Sequence, residues 1–269
     1  MQIRFVKAKS ILNHSKLGGY TLNPYLGCPH NCVYCYNQHF LSKIRPGKEK
    51  WGDFLEIKLN APEILEKEIT GRYKNQQEEV FLSTVTDPYN PLEKQHQLTR
   101  RCLEILAKYQ WPVQILTKSD LVLQDLDVFK KFRHRIEIGF TITILDPSVQ
   151  MIFEPGAGPI GKRIEALKKL KKAGFKTYAF VGPILPHFTN LKQIFEVLKD
   201  KTDKIWFDTL NTRKENWQGL ERALKLHYPR FLSEYKKIFF EKRKEYEIQL
   251  REEIEFWAKN FRISLKICF

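Results

Sequence analysis

Apolar residues along this chain fall into two periods. Compact apolar runs bounded by turn residues read as buried strands: Val80–Val85, Pro112–Lys118, Arg135–Ile144, Lys176–Val181 and Lys204–Asp208. Tyr20–Tyr25 gives an earlier strand of the same kind. Between them the apolar residues space themselves as one face of a helix, over Leu98–Tyr109, Leu123–Phe132, Gly161–Ala173 and Asn190–Leu198. Ile164, Leu167 and Leu170 make the stripe of the third of these, and Gly174 stops it. Ala61–Ile69 is a further helix with Pro62 in its first turn. Strand and helix therefore alternate at about 30 residues, the size of one βα unit. That alternation predicts an α/β fold with a parallel sheet and right-handed crossovers, either open or closed into a barrel.

The two ends of the chain break the pattern. Residues 1–18 read as an extended lead-in, with Ser10–Asn13 and then Lys16–Gly19, and residues 19–212 hold the alternating unit. A polar stretch containing Pro46, Gly47 and Gly52 precedes the first helix. Residues 213–269 are charged and aromatic, with Trp217, Tyr228, Phe231, Tyr235, Phe239, Phe240, Tyr246, Phe256 and Trp257. They predict two or three helices broken at Pro229, then a short final strand, Ile263–Phe269. Basic and aromatic residues interleaved in this way either stack on single-stranded nucleic acid or form a buried seam against the preceding unit.

Composition adds little to the fold and more to the partners. With 46 Lys+Arg against 31 Asp+Glu, the formal net charge is +15. Such a balance suits an anionic partner such as nucleic acid, or a solvated lysine-rich surface. The first ten residues lack the apolar run of a signal peptide, and no stretch nears the ~18 apolar residues of a membrane span. A cytoplasmic protein is expected.

Three of the five cysteines fall within eight residues, as Cys28-x3-Cys32-x2-Cys35. Thiolates are the usual ligands of iron–sulfur clusters, and three of them on a [4Fe–4S] cubane leave one iron without a protein ligand. An open coordination position is where a metal site does chemistry. Structural zinc would need a fourth ligand, for which His30 and His39 are the neighbours. A disulfide is disfavoured by the odd count and the reducing compartment. The polar residues that end the predicted strands, Thr86-Asp87, Lys118, Thr141, Thr143 and the segment Gly182–Pro186, all sit at the C-terminal ends, where parallel barrels place their active sites.

Cys-x3-Cys-x-aromatic-Cys resembles the cluster motif of the radical S-adenosylmethionine (SAM) enzymes. The segments Thr21–Cys28 and Cys32–Tyr36 resemble more narrowly the branch related to spore photoproduct lyase. The resemblance implies a partial (β/α)6 barrel, with the helical C-terminal extension and short final strand added to it. It implies a [4Fe–4S] cluster held by Cys28, Cys32 and Cys35, with SAM on the open iron. There SAM is cleaved to methionine and a 5′-deoxyadenosyl radical that abstracts hydrogen from a substrate, the cofactors supplying the chemistry and the protein the orientation. By the same resemblance Tyr34 lies near the adenine, Thr86 and Asp87 match the Ser-Asp-Pro segment beside SAM, Lys118 meets the SAM carboxylate, and Thr141 matches a SAM-binding serine. Phe153–Gly156 followed by Lys162–Ala166 matches a further signature, to which no chemical role attaches. Tyr36 matches a tyrosine of the hydrogen-atom relay. Thr84 stands where spore photoproduct lyases have their donor cysteine, and a threonine O–H bond is too strong for that task. The resemblance therefore implies a nucleic acid or nucleotide substrate without lesion repair, and a reductant of the flavodoxin or ferredoxin type. A rival expectation is a non-catalytic nucleic-acid-binding protein whose cysteine loop holds structural zinc or a structural cluster.

Overall fold

A computed structural model describes residues 1–15, 18–45 and 49–269. The chain opens with β1 (Gln2–Val6), β2 (Leu12–His14), β3 (Tyr20–Leu22) and β4 (Tyr25–Leu26). The cysteine loop follows and leads into α1 (Asn37–Ile44), β5 (Phe54–Lys58) and α2 (Ala61–Thr70). The alternating unit continues with β6 (Val80–Leu82), α3 (Glu93–His96), α4 (Leu98–Lys108), β7 (Val113–Thr117), α5 (Leu126–Phe129), β8 (Ile136–Thr141), α6 (Pro147–Phe153) and α7 (Ile160–Lys172). It closes with β9 (Lys176–Ile184), α8 (Leu191–Leu198) and β10 (Lys204–Thr209). Then come α9 (Lys214–His227), α10 (Leu232–Lys236), α11 (Arg243–Phe261) and β11 (Ser264–Ile267).

The main sheet runs β11-β10-β9-β8-β7-β6-β3-β2, parallel throughout except for the β2–β3 hairpin pair. Each strand from β7 onward lies beside the strand before it in sequence, the order of an incomplete (β/α) barrel. Along β8 the alternation is explicit. Ile136, Ile138 and Phe140 join the apolar layer under the helices, while Glu137, Gly139 and Thr141 face the other way, into the barrel. The same parity puts Gln114, Tyr178, Trp206 and Lys266 inside, with Tyr178 and Trp206 stacked at 4.7 Å between ring centres. A smaller sheet, β1-β5-β4, stands apart.

Several local expectations change. The first expected strand, Tyr20–Tyr25, divides at Asn23-Pro24: Tyr20–Leu22 pairs with β6, whereas Tyr25–Leu26 pairs with β5. Proline has no N–H to continue a ladder. The lead-in contains two strands, and the polar stretch after the cysteines contains α1 and β5 (its Pro46 and Gly47, like Lys16 and Leu17 earlier, lie outside the described residues). The helix expected over Leu123–Phe132 is one α-helical turn flanked by 3-10 turns at Asp120–Asp125 and Lys130–Phe132. The C-terminal break falls at Pro229, as expected, in a 3-10 turn. Of the aromatics there, Trp217, Tyr228, Phe231, Tyr235 and Phe239 pack with Cys32, Tyr34 and Phe153, which is the buried seam. Phe240 and Phe256 remain exposed.

Candidate cofactor site

The cysteine loop lies between β4 and α1. Cys28 and Cys32 are buried, Cys35 is half-buried, and all three are free thiols. Burial pushes the Cys28 thiol up to about 12, with Asp87 and Cys35 adding to it. Burial also raises Cys32 and Cys35, against the lowering influence of Lys118 on both. Three neutral thiols lie close enough that Cys32 feels both Cys28 and Cys35. Among the described residues no three Cys, His, Asp or Glu side chains converge as a single metal ion would require. A cluster asks for something else, since each thiolate takes its own iron. Metal loading of buried thiols releases their protons. The donor set fits a cluster.

The loop is clamped by a segment far away in sequence. Val33 N–H donates to the Phe153 carbonyl at 3.0 Å, and Gly156 N–H donates to the His30 carbonyl at 3.0 Å. Any side chain at residue 156 would collide with the Pro29 carbonyl, and any at residue 219 with the Val33 carbonyl, so glycine is required at both close approaches. From the other side, Gln38 Nε2 donates to the Cys32 and Val33 carbonyls at 3.3 and 3.1 Å. The Tyr34 hydroxyl donates to the buried Glu154 carboxylate, 120 positions away. Arg163 pairs with that carboxylate at 2.6 Å and donates to the Gly158 and Thr141 carbonyls at 2.7 and 3.1 Å.

The expected SAM contacts gather around this loop, in different states. Lys118 stands with its ammonium 5.7 Å from the centre of the Tyr34 ring. Burial opposes its charge, yet Cys32, once ionised, and Glu154 hold its pKa above the usual lysine value. Among the described residues no carboxylate comes within ion-pair distance of it. Thr86 donates its hydroxyl to the Gly27 carbonyl. Thr141 is buried at the end of β8. Tyr36 is 54% exposed and donates to the Thr84 carbonyl, which Asn37 Nδ2 also reaches at 3.0 Å.

Asp87 is occupied by its own chain. Its carboxylate accepts from the Thr117 hydroxyl at 2.6 Å, the Lys118 N–H at 2.8 Å and the Tyr89 N–H at 2.9 Å, with His30 Nδ1 at 3.4 Å. It locks the end of β7 to the cysteine loop. Burial lowers the pKa of His30 against the pull of Asp87, which keeps the ring neutral.

Sequence reasoning passed over several residues here. The Glu154–Arg163 pair was visible as a signature, but its partners lie far off in sequence. Ser83 and Thr143 follow β6 and β8, and their buried hydroxyls have no partner among the described residues. Ser83 also has φ +62°, a left-handed backbone unusual for a residue with a side chain. Buried polar atoms left without a partner at the C-terminal ends of strands leave room for a water or a ligand to satisfy them. Nothing in the local pattern around either residue signals this. At the far edge of the same face, a crevice of about 610 Å³ is lined by Asp208, Arg213, Arg243, Glu247 and Cys268 among others.

Comparison with known proteins bears on this arrangement. The family model of the Radical SAM superfamily matches residues 22–200. An uncharacterised protein of Methanocaldococcus jannaschii is 36% identical over 232 residues, covering 85% of each chain. The spore photoproduct lyase of Bacillus subtilis is 26% identical over 216 residues, 76% of this chain but 58% of that one. The solved structure of spore photoproduct lyase complexed with dinucleoside spore photoproduct superposes with a TM-score of 0.73 at 16% identity, covering 98% of this chain and 81% of that chain. At that identity the likeness is one of fold.

Proposed function

The chain belongs to the radical SAM superfamily, and we propose that it holds a [4Fe–4S] cluster on Cys28, Cys32 and Cys35 and binds SAM at the iron left open. One observation carries the reading: three free thiols in this spacing, two buried and one half-buried, lie beside a partly buried ammonium, Lys118, with no carboxylate within ion-pair distance among the described residues. A cation held partly out of water costs free energy until an anion joins it, and the SAM carboxylate is the anion proposed here. Cluster and SAM together supply one-electron cleavage of the sulfonium and a carbon radical that takes a hydrogen atom from the substrate.

The residues of the chain divide the remaining tasks. Lys118 binds the carboxylate. Tyr34, fixed by Glu154, presents its ring beside the adenine. Thr86 has its proton committed to Gly27 and keeps its lone pairs for a donor on SAM, while Thr141, Ser83 and Thr143 offer hydroxyls around it. Asp87, which accepts from Thr117, Tyr89 and the Lys118 N–H and faces His30, positions Lys118 and His30 beside SAM. Tyr36, exposed and hydrogen-bonded to Thr84, is the relay residue on the substrate side.

The substrate is proposed to be a nucleic acid or nucleotide, which suits the +15 charge, and the reductant a flavodoxin- or ferredoxin-type protein. Repair of spore photoproduct is disfavoured, because Thr84 replaces the donor thiol. No helix among the described residues is long and apolar enough to cross a membrane.

The test is anaerobic reconstitution with iron and sulfide, then reduction with dithionite and SAM, assaying 5′-deoxyadenosine. Wild type is expected to form it, and Cys28→Ala, Cys32→Ala and Cys35→Ala to form none. Lesion dinucleoside added to the wild type should remain unrepaired. Stoichiometric zinc with no cluster would overturn the reading in favour of a structural metal site.

A further inference from the structure

Beneath the cysteine loop lies an ion pair to which the proposed chemistry gives no part. Glu154 and Arg163 are 1% and 0% exposed and meet at 2.6 Å. The pair is oriented. Its carboxylate receives the hydroxyl of Tyr34, which sits between Cys32 and Cys35, while its guanidinium turns away to the Gly158 and Thr141 carbonyls at 2.7 and 3.1 Å. Burial opposes the charge on Glu154, but Arg163 and Lys118 hold its carboxyl below the usual range, so it is ionised at neutral pH.

A charge in a dry interior is poorly screened, and its field reaches its neighbours. Cys32, Tyr34 and Lys118 feel Glu154 more than Arg163, whereas at His30 the guanidinium outweighs the carboxylate. Reducing a cluster adds negative charge to it. A nearby carboxylate therefore lowers its potential and a nearby cation raises it, net charge being one of the levers that set these potentials.

Resting on the reading of a cluster at Cys28, Cys32 and Cys35, we propose that the Glu154–Arg163 pair is a positioning and potential-setting element, its negative end turned toward the loop so that it holds Tyr34 in place and keeps the cluster hard to reduce. A low potential is what a cluster needs if its electron is to be passed on to a substrate as resistant as a sulfonium. The carboxylate acts through Tyr34 and through space and touches neither cluster nor SAM.

The experiment is a redox titration of the reconstituted protein without SAM, followed by EPR of the reduced cluster, on samples with four irons per chain and a wild-type circular dichroism spectrum. Glu154→Gln keeps an acceptor for Tyr34 and removes the charge; its midpoint should shift positive. Arg163→Gln should shift it negative. The double variant, in which no buried charge is left unpaired, should fall between them. Shifts of the same sign, or no shift, overturn the proposal. If Glu154→Gln fails to hold four irons, Arg163→Gln decides by its sign. Loss of the cluster in both single variants and its return in the double supports the electrostatic pairing, whereas loss in all three makes the pair a mere strut and overturns it. Wild type that assembles no cluster at all would instead sink the superfamily chemistry proposed above.

Discussion

Asp208 has its carboxyl half out of water on the inner face of β10. It accepts one N–H, from Thr209 at 2.9 Å. Burial pushes its pKa up to about 6 from 3.8, with Thr209 and Arg243 only partly offsetting this. A carboxyl raised in the folded state contributes stability that is fully present below pH 3.8 and is lost as pH rises through about 6. The shift corresponds to at most about 3 kcal/mol, cut to about 1–2 kcal/mol by the solvent that still reaches the group. Asp208→Asn, which keeps the acceptor and removes the charge, should therefore gain stability relative to wild type between pH 4 and 7.5, read from paired urea titrations. A difference that stays flat with pH would show that burial does not tune this residue. Such effects are not legible in sequence, because neighbours across strands supply the burial. A fixed spacing marks the three cysteines in sequence and a strand end marks Lys118, and the fold brings them near one another. Asp87, expected beside SAM, accepts from Thr117 and the Lys118 N–H, and those partners were not legible because they come from the next strand.

Among the elements, α9 matters most to the loop. It packs so closely on Val33 that residue 219 has no room for a methyl group. Gly219→Ala should cost about 1–3 kcal/mol, the usual penalty for overpacking, and should lower the iron retained after reconstitution. Gly161, in the first turn of α7, has nothing within 4 Å of where its Cβ would be. Gly161→Ala should stabilise by about 0.5–1 kcal/mol with iron content unchanged. Thermal melts and iron analysis of the two variants check the contrast, and equal effects would mean that the approach at Val33 is looser than described. Strands β6 to β10 could be read from sequence because each carries a compact apolar run bounded by turn residues. β5 could not, because Glu56 and Lys58 interrupt it. Those residues are accommodated only through partners elsewhere: Arg45 at 2.7 Å from Glu56, and the Asn23 carbonyl at 2.8 Å from Lys58. α1 is eight residues long with a weak stripe, and it is held by tertiary ties such as His39 to Glu215 at 2.7 Å.

At the scale of the whole molecule the alternation of strands and helices foretold the parallel sheet. It did not foretell that β11, arriving after a long helical excursion, would return to lie parallel beside β10. From β6 to β10 the strands add in sequence order, so their pairings are short-range and inexpensive in loop entropy. The ties that close the site are of another kind: 120 positions separate Tyr34 from Glu154, and 176 separate His39 from Glu215. Regions held by few long-range contacts open at lower free energy than packed strands do. Native-state hydrogen exchange of the apo-protein should therefore release the amides of Val33 and Gly156 well before those of Ile115 and Phe140, and uniform protection would contradict this. On the proposed reading, that order would make the clamp at residues 153–158 the last part of the fold to close, leaving the thiols within reach of iron and sulfide over a finished sheet until it shut.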